Sequence, residues 1–194
     1  MTRIAVVDRK GAGPFVRSVY RYAEKQYGLL PEPTAVFAHH KKLLVGYGAL
    51  ESALERSHRV DDRLKAMAEL KAAMLAGCEF CLDIGSAMAT KSGMTEDQLR
   101  ELHRHSDSEQ FSELEKRVID YAVGMTRTPV DVPEELFAKL AEHFDEGQLV
   151  ELTSAIATEN FRARFNWAFG IEAQGFTEGA FCVRAQEAVD TAAS

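Results

Sequence analysis

The stretch Met-Leu-Ala-Gly-Cys-Glu-Phe-Cys-Leu-Asp, residues 74–83, decides how the chain folds and what chemistry it carries. Its two cysteines, Cys78 and Cys81, are spaced C-x-x-C and directly follow Gly77, where one helical pattern ends and the next begins. A two-residue gap at the start of a helix brings two sulfur atoms close enough to interconvert between dithiol and disulfide. The motif therefore predicts thiol redox chemistry.

Around this motif the apolar residues follow the helical period, and the alternation typical of strands is nearly absent. Pro14 suits the first turn of a helix and Gly28 suits the end of one, whereas Pro31 and Pro33 prevent that helix from continuing. The patterns predict helices at about residues 14–27, 34–57, 61–76, 79–91, 95–103, 113–126 and 147–168, and a further helix that begins at Pro133.

The predicted fold is therefore all-α, a bundle of about seven or eight helices. With 194 residues and a hydrophobic content of 46%, the chain can fill one substantial core. We expect a single all-helical domain over residues 1–194, with the C-x-x-C core at about 60–100 and a C-terminal helical part at about 113–171.

Charge and hydropathy exclude several classes of partner. The formal net charge is −7 and no run of Lys and Arg is clustered, so we expect no nucleic-acid partner. The apolar run at residues 4–7 is too short for the hydrophobic part of a signal peptide or for a membrane span. The chain is accordingly expected to be cytoplasmic and to have no membrane partner.

The cysteine pattern also argues against a metal site. A closed zinc site needs four ligands, and neither a second C-x-x-C nor an H-x3–5-H spacing accompanies Cys78 and Cys81. An odd number of cysteines in a cytoplasmic chain is not a disulfide framework, and Cys182 is interpreted as a semi-buried apolar residue. We predict no metal at this motif.

Three further motifs follow the C-x-x-C pair in a fixed order. They are Val-Asp-Val-Pro at residues 130–133, Gln-Leu-Val-Glu-Leu-Thr at 148–153, and Asn-Phe-x-x-Arg-Phe-Asn-x-Ala-Phe-Gly-Ile at 160–171. From about residue 31 to residue 171, this order resembles the carboxymuconolactone decarboxylase superfamily. The C-x-x-C pair makes the resemblance greatest to its alkylhydroperoxidase-like (AhpD-like) branch.

The resemblance implies an AhpD-like helical bundle that assembles as a homo-oligomer, a trimer or a hexamer. It implies that Cys81 is the peroxidatic thiol, which attacks a hydroperoxide, and that Cys78 is the resolving thiol, which forms the disulfide. An external dithiol reductant would then restore both thiols. No metal and no organic cofactor are required.

The position of the thiols on the helix favours a different attacking cysteine. Unpaired N–H groups at a helix N-terminus stabilise a nearby thiolate, and Cys78 lies closer to that end than Cys81. The helix dipole thus favours Cys78 as the more acidic thiol, whereas the resemblance assigns the attack to Cys81. The sequence leaves both assignments open.

Two residues of the branch's proton relay are absent from their expected places. The relay His, four residues after the second Cys, is replaced by Gly85, and the relay Glu, twelve residues before the first Cys, is replaced by Ala66. Glu69 lies one turn beyond Ala66 on the same predicted helix and is our candidate for a catalytic carboxylate. Its alternative role is that of a surface or ion-paired residue.

Five other residues are candidates for a proton relay or for a pocket wall. His39 and His40 lie beside apolar positions of the second predicted helix, where each serves either as a proton shuttle or as a structural residue. Asp83 lies two residues after Cys81 and acts either in a relay or on the helix dipole. Asn160 and Arg164 share one helix face and either orient a substrate or tie two helices together.

Three classes of function remain open on the sequence. The first is a thiol peroxidase or disulfide reductase that cycles Cys78 and Cys81. The second is a lactone decarboxylase or a related proton-transfer enzyme, although that subgroup usually lacks the C-x-x-C pair. The third is an oligomeric redox sensor that forms the disulfide without turnover, an interpretation favoured by the missing relay residues.

Overall fold

The computed structural model describes residues 2–177 and 182–184, and within them all regular secondary structure is helical. The α-helices are α1 (Pro14–Tyr27), α2 (Glu32–Phe37), α3 (Lys41–Glu55), α4 (Asp62–Ala76), α5 (Glu79–Lys91), α6 (Glu96–Glu101), α7 (Glu113–Thr126), α8 (Glu134–Ala141) and α9 (Glu146–Phe169). A 3₁₀ turn at Leu102–Arg104 follows α6. The all-α prediction is confirmed. Of the helices that the structure describes, none is long and apolar enough to cross a membrane.

One predicted helix, that over residues 34–57, is wrong because the chain breaks it in two. Helix α2 ends at Phe37 and α3 begins at Lys41. Between them His40 leaves the helical conformation (φ −130°, ψ 87°), and its Nδ1 accepts a hydrogen bond of 3.3 Å from the N–H of Leu43. His40 therefore caps α3, and the break adds one α-helix to the number predicted.

Helix α4 lies at the centre of the main core and packs against α5, α7 and α9. Met67, Leu70 and Met74 are almost completely buried, and buried residues occur on all sides of the helix rather than on one stripe. Such a pattern is typical of a helix that is surrounded by others. The position of α4 lets its C-terminal end support the C-x-x-C motif.

Gly77 makes the sharp corner between α4 and α5. Its φ of 67° lies in the left-handed region, and its N–H donates to the carbonyl groups of Ala73 and Met74. A side chain at this φ is strained, so glycine is the residue that allows the chain to turn at once into α5. The corner places Cys78 at the N-cap of α5.

A second, smaller core joins the N-terminal helices to α9. Tyr20 is fully buried in it, and the ring of Phe37 stacks on Tyr47 and on Phe165 with centroid separations of 4.4 and 4.1 Å. These ring contacts hold α2 and α3 against the C-terminal half of α9. The space between this small core and α4 becomes the cavity described below.

Asp83 fixes the C-terminal segment to α5 and is not placed for a proton relay. Its side chain is 2% exposed, and its Oδ2 accepts hydrogen bonds of 2.7–3.0 Å from the backbone N–H groups of residues 174–176. Its Oδ1 accepts from the N–H and the hydroxyl of Thr177 at 3.0 and 2.7 Å. All lone pairs that a relay would need are therefore occupied.

We call the hydrogen bonds from residues 174–177 to Asp83 the anchor. The stability of this anchor is expected to depend on pH. Burial raises the pKa of Asp83, but the hydrogen bonds from Thr177, Phe176 and Gln174 outweigh it, so the pKa lies below its usual range. A carboxyl group with a lowered folded-state pKa stabilises the fold above its unfolded-state pKa of about 3.9. That contribution is lost as the pH falls through the lowered folded-state value.

Asp83→Asn is expected to destabilise the anchor by about 2 kcal/mol, because an amide group then faces several N–H donors. Amide hydrogen exchange of residues 174–177, followed by mass spectrometry at pH 7, should accelerate more than tenfold in the variant. Asp97→Asn, at an exposed position in the first turn of α6, is the matched control and should leave the exchange unchanged. Equal exchange in the wild type and Asp83→Asn would contradict the anchor.

Candidate active site around Cys78 and Cys81

Cys78 and Cys81 are joined in a disulfide at the N-terminus of α5, with their Cα atoms 5.2 Å apart. Cys78 occupies the N-cap, and its Sγ accepts a hydrogen bond of 3.2 Å from the N–H of Cys81. The two residues are only 3% and 4% exposed. The motif thus supplies a dithiol–disulfide pair in which the free N–H groups of a helix start lie next to sulfur.

Asn166 of α9 is the polar residue that contacts both sulfur atoms. Its Nδ2 lies 3.6 Å from Cys78 Sγ and 3.4 Å from Cys81 Sγ, and the side chain is buried. An amide N–H donor stabilises negative charge on sulfur, so these contacts favour a thiolate after reduction. Sequence reasoning placed Asn166 on the last helix but did not assign it to the site.

A cavity of about 400 Å³ lies beside the disulfide, and Cys81 lines it. Cys78 does not belong to the lining, so the two sulfurs differ in their access to a small molecule. Near Cys81 the wall is apolar, with the side chains of Leu70, Phe80, Ile84 and Met88. The shape of the site therefore favours Cys81 as the thiol that meets a substrate.

The positions of the absent relay residues also lie on the cavity wall. Ala66 and Gly85 both line it. A Cβ atom at Gly85 would come within 3.0 Å of Leu70 Cδ2, so the wall is packed closely where the branch carries its His. Leu70 therefore occupies part of the space that a side chain at position 85 would need.

Arg162 of α9 forms a buried ionic cluster in the same cavity. Its Nε and Nη2 bind the two carboxylate oxygens of Glu51 at 2.8 and 2.6 Å. Its Nη1 donates to Glu69 Oε1 and to Glu159 Oε2, both at 3.0 Å. One guanidinium group thus holds three carboxyl groups that come from α3, α4 and α9.

Burial and crowding of like charge shift the ionisation of this cluster. Burial, with smaller contributions from Glu69 and Glu51, outweighs the opposing effect of Arg162 and raises the pKa of Glu159 to about 8. Burial lowers the pKa of Arg162, but its three acidic neighbours outweigh burial and raise it above its ordinary value. At neutral pH the cluster therefore contains a charged guanidinium group and a largely protonated Glu159.

A carboxyl group with a raised folded-state pKa makes the fold less stable as the pH rises. Between the unfolded-state pKa of about 4.3 and the folded-state value, the folded chain binds the extra proton at Glu159. Glu159→Gln should therefore gain about 2 kcal/mol over the wild type between pH 6 and pH 8 in urea denaturation. A constant difference between the two proteins across this range would show that Glu159 is already ionised at pH 6.

The structure brings some of the predicted residues together and separates others. Glu69 lines the cavity, with Arg162 as its partner. His39 and His40 are exposed and lie outside the lining, because His39 Nε2 contacts the carbonyl of Ala5 at 2.7 Å and His40 caps α3. Within this chain both residues have the structural role that the sequence offered as the alternative, and a relay role for them stays a prediction.

Asn160 and Arg164 do not line the cavity beside Cys81, and Asn160 has the other role predicted for it, that of tying two helices together. They lie on another face of α9, where Asn160 Nδ2 donates to Thr126 Oγ1 at 3.0 Å and Arg164 Nη1 donates to Asn160 Oδ1 at 2.7 Å. The cavity face of α9 carries Ala155, Glu159, Arg162 and Asn166, at spacings of four, three and four residues. Cys182 is free and half-buried, as its semi-buried role predicted.

Sequence comparison relates this arrangement to a known family. The model of the carboxymuconolactone decarboxylase family matches residues 41–123, which include both cysteines of the site. The uncharacterized protein YnjA of Escherichia coli (strain K12) is 36% identical over 123 residues, which cover 63% of this chain and 68% of YnjA.

Solved structures share the fold at lower sequence identity. The debrominase Bmp8 superposes with a TM-score of 0.80 at 23% identity, covering 91% of this chain and 94% of that one. A cysteine-to-alanine variant of Bmp8 was crystallised with 2,3,4-tribromopyrrole. An uncharacterized peroxidase-related protein from Ralstonia eutropha JMP134, described as an AhpD core, has a TM-score of 0.78 at 16% identity, covering 93% and 97% of the two chains. The chain therefore belongs to the carboxymuconolactone decarboxylase family and has the helical fold of its AhpD-like members.

Proposed function

We propose that the protein is a thiol-dependent peroxidase that reduces hydroperoxides through a Cys78–Cys81 dithiol–disulfide cycle. One observation carries the proposal: Cys81 lines the cavity and is bonded to Cys78, which lies outside the lining. A substrate in the cavity thus contacts the Cys81 thiol, and the Cys78 thiol lies close enough to form the disulfide with it. This geometry supports an attack by Cys81, the thiol to which the resemblance also gives that role.

The cycle runs in three balanced steps. The Cys81 thiolate attacks the terminal oxygen of ROOH, the O–O bond breaks, and the alkoxide leaves as ROH after it takes one proton. The Cys78 thiol then attacks the resulting sulfenic acid, forms the disulfide and releases water. An external dithiol reduces the disulfide by thiol–disulfide exchange and is itself oxidised to a disulfide.

In the proposed cycle, other residues of this chain stabilise the thiolate and transfer the proton in place of the missing relay His and Glu. Asn166 donates to both sulfurs and favours the thiolate, as does the helix start for Cys78. Glu159 and Glu69 are two of the three acidic groups of the cavity wall that Arg162 holds in place, and they are our candidates for proton transfer to the leaving alkoxide. The homo-oligomeric assembly remains a prediction.

Turnover in the presence of excess reductant tests the proposal. Catalytic amounts of the protein are mixed with cumene hydroperoxide and dithiothreitol, and the remaining peroxide is measured with time. We expect many equivalents of peroxide to be consumed per protein. Consumption that stops at one equivalent would overturn the peroxidase and would favour the redox sensor.

The apolar wall next to Cys81 favours a second candidate function, reductive dehalogenation. Leu70, Phe80, Ile84 and Met88 line more space than a hydroperoxide group requires. A dithiol supplies the two electrons that convert an aryl bromide to the arene, with release of bromide and one proton and formation of the Cys78–Cys81 disulfide. Bromide release from a brominated pyrrole, in the presence of dithiothreitol, separates this reaction from peroxide reduction.

A further inference from the structure

We infer that Trp167 of α9 is a positioning residue for the resolving thiol, because it holds the corner at Gly77 and so keeps Cys78 next to Cys81 in the reduced protein. The consequence for turnover rests on the proposed dithiol–disulfide cycle. Trp167 acts from outside the cavity, since neither its own side chain nor the backbone that it contacts, at Ala76 and Gly77, belongs to the cavity lining.

Cys78 is bonded to both of the helices that meet at the corner. Its N–H donates to the carbonyl of Ala73 at 3.1 Å, and this bond closes the C-terminal turn of α4. Its carbonyl accepts from the N–H of Leu82 at 2.9 Å, in the first turn of α5. The position of Cys78 beside Cys81 therefore depends on how the end of α4 is fixed relative to the start of α5.

Trp167 completes the C-terminal cap of α4. The turn at the corner satisfies the carbonyl groups of Ala73 and Met74 with backbone N–H groups. The carbonyl of Ala76, the last residue of α4, accepts a hydrogen bond of 2.8 Å from the indole Nε1 of Trp167. A helix leaves its last carbonyl groups without a partner from its own backbone, so this bond from α9 satisfies one of them and ties the end of α4 to α9.

The indole ring also packs against Gly77. A Cβ atom placed on Gly77 would lie 3.8 Å from both Cζ2 and Nε1 of Trp167, which is an ordinary packing distance. Trp167 is nevertheless 58% exposed. Burial in a core therefore does not account for the position of this ring, whereas its two contacts with the corner do.

The end of α9 holds the C-x-x-C motif at two levels. Asn166 contacts both sulfur atoms, and the next residue, Trp167, contacts the backbone that carries Cys78. The carbonyl groups of Asn166 and Trp167 accept hydrogen bonds from the N–H groups of Ile171 and Gly170, which close the end of α9. Both side chains thus come from one closed helix end, and loss of either contact loosens the motif.

The second step of the cycle is the one that depends on the corner. In this step the Cys78 thiol attacks the sulfenic acid of Cys81, the S–O bond breaks, and the oxygen leaves as water with the sulfenic and thiol protons. The step is intramolecular, so its rate rises with the time that the two sulfur atoms spend in contact. The same proximity stabilises the disulfide relative to the dithiol. Attack of Cys81 on a peroxide in the cavity does not need the corner.

The equilibrium between dithiol and disulfide tests the inference without any peroxide. Each protein is equilibrated at pH 7 with mixtures of reduced and oxidised glutathione, and the reduced fraction is measured by alkylation and mass spectrometry. Trp167→Phe keeps a ring but lacks the N–H donor, and its equilibrium constant for disulfide formation should fall about threefold. Trp167→Leu lacks the ring as well and should show a fall of about tenfold. Equal constants in the wild type and both variants would overturn the inference.

Trapping of the sulfenic acid separates positioning from a general loss of stability. The reduced proteins are mixed with one equivalent of cumene hydroperoxide in a fixed excess of dimedone, and the products at Cys81 are measured by mass spectrometry. In Trp167→Leu the ratio of dimedone adduct to disulfide should rise about tenfold, while the initial rate of peroxide loss stays within about twofold of the wild type. An unchanged ratio, or a rate of peroxide loss that falls by the same factor, would overturn the positioning role.

Phe15→Leu is the matched control for both measurements. Phe15 is an aromatic residue of similar exposure, 49%, but it lies on α1 and outside the cavity lining. Its substitution should leave the equilibrium constant and the product ratio unchanged. If Trp167→Leu fails to fold, the more conservative Trp167→Phe decides both measurements, with a rise of about threefold expected in the product ratio.

The role of Trp167 and the proposed peroxidase fail separately. A shifted glutathione equilibrium in the Trp167 variants of a protein that does not turn over peroxide would overturn the peroxidase and support the positioning role. Peroxide turnover with the same equilibrium constant in the wild type and the Trp167 variants would support the peroxidase and overturn the positioning role.

Discussion

Cys81→Ser is expected to abolish peroxide turnover and to lower kcat/KM for cumene hydroperoxide by about a thousandfold or more. The serine hydroxyl has the same position on the cavity wall, but it is not ionised at neutral pH and is a far weaker nucleophile than a thiolate. The measurement is the initial rate of peroxide loss with dithiothreitol at several peroxide concentrations.

Two other cysteine variants serve as controls for this loss. Cys182→Ser should turn over at the wild-type rate, because Cys182 is a free cysteine outside the cavity lining. Cys78→Ser should consume about one equivalent of peroxide and then slow, because the sulfenic acid at Cys81 has lost its resolving thiol. Wild-type turnover in Cys81→Ser would contradict the assignment of the attack.

Arg162→Leu is expected to destabilise the protein by about 3 kcal/mol. The substitution removes the guanidinium group that holds Glu51, Glu69 and Glu159, and leaves three carboxyl groups close together without a cation. Only 20% of the Arg162 side-chain surface is exposed, so water cannot fully replace it. Removal of one partner from a buried ionic group leaves uncompensated charge, which is more costly than loss of a surface pair.

Urea denaturation at pH 7, followed by circular dichroism, measures this loss. Arg164→Leu is the matched control, because Arg164 lies two positions along the same helix, is exposed and contacts Asn160 within α9. Its substitution should change the free energy of unfolding by less than about 0.5 kcal/mol. Similar losses in both variants would show that the cluster contributes no more than a surface contact.

Local signals account for the parts of the fold that the sequence predicts well. Thr95 and Gln98 form a capping box at α6, and Ser112 and Glu115 form one at α7, so these helices begin where their side chains satisfy the first N–H groups. Gly77 and the C-x-x-C spacing likewise place the start of α5. Each of these signals acts over a few neighbouring residues.

The errors arise where contacts between distant residues decide the outcome. Asn166 meets sulfur atoms that are 85 and 88 positions away in the chain, and Asp83 binds backbone groups more than 90 positions away. The helical period of α9 is compatible with either of its polar faces lining a cavity. Only packing against α4 and α5 selects the face with Arg162 and Asn166 and excludes Asn160.

The sequence shows that the relay His and Glu are absent, but it does not show which groups occupy the cavity instead. Gly85 and Ala66 both line the cavity. This is the arrangement expected if the relay residues that they replace act together at one site. Three of the acidic groups in that cavity are held by Arg162, which the sequence places only within the motif at residues 160–171. A residue that joins α3, α4 and α9 through side chains cannot be recognised from its spacing on one helix.

Chemical trapping of the sulfenic acid tests the central claim, that Cys81 is the thiol that attacks the peroxide. Reduced Cys78→Ser and Cys81→Ser proteins are each treated with one equivalent of cumene hydroperoxide and with dimedone, and the adducts are mapped by mass spectrometry. We predict a dimedone adduct on Cys81 in Cys78→Ser and none on Cys78 in Cys81→Ser. An adduct on Cys78 with none on Cys81 would contradict this account of the site.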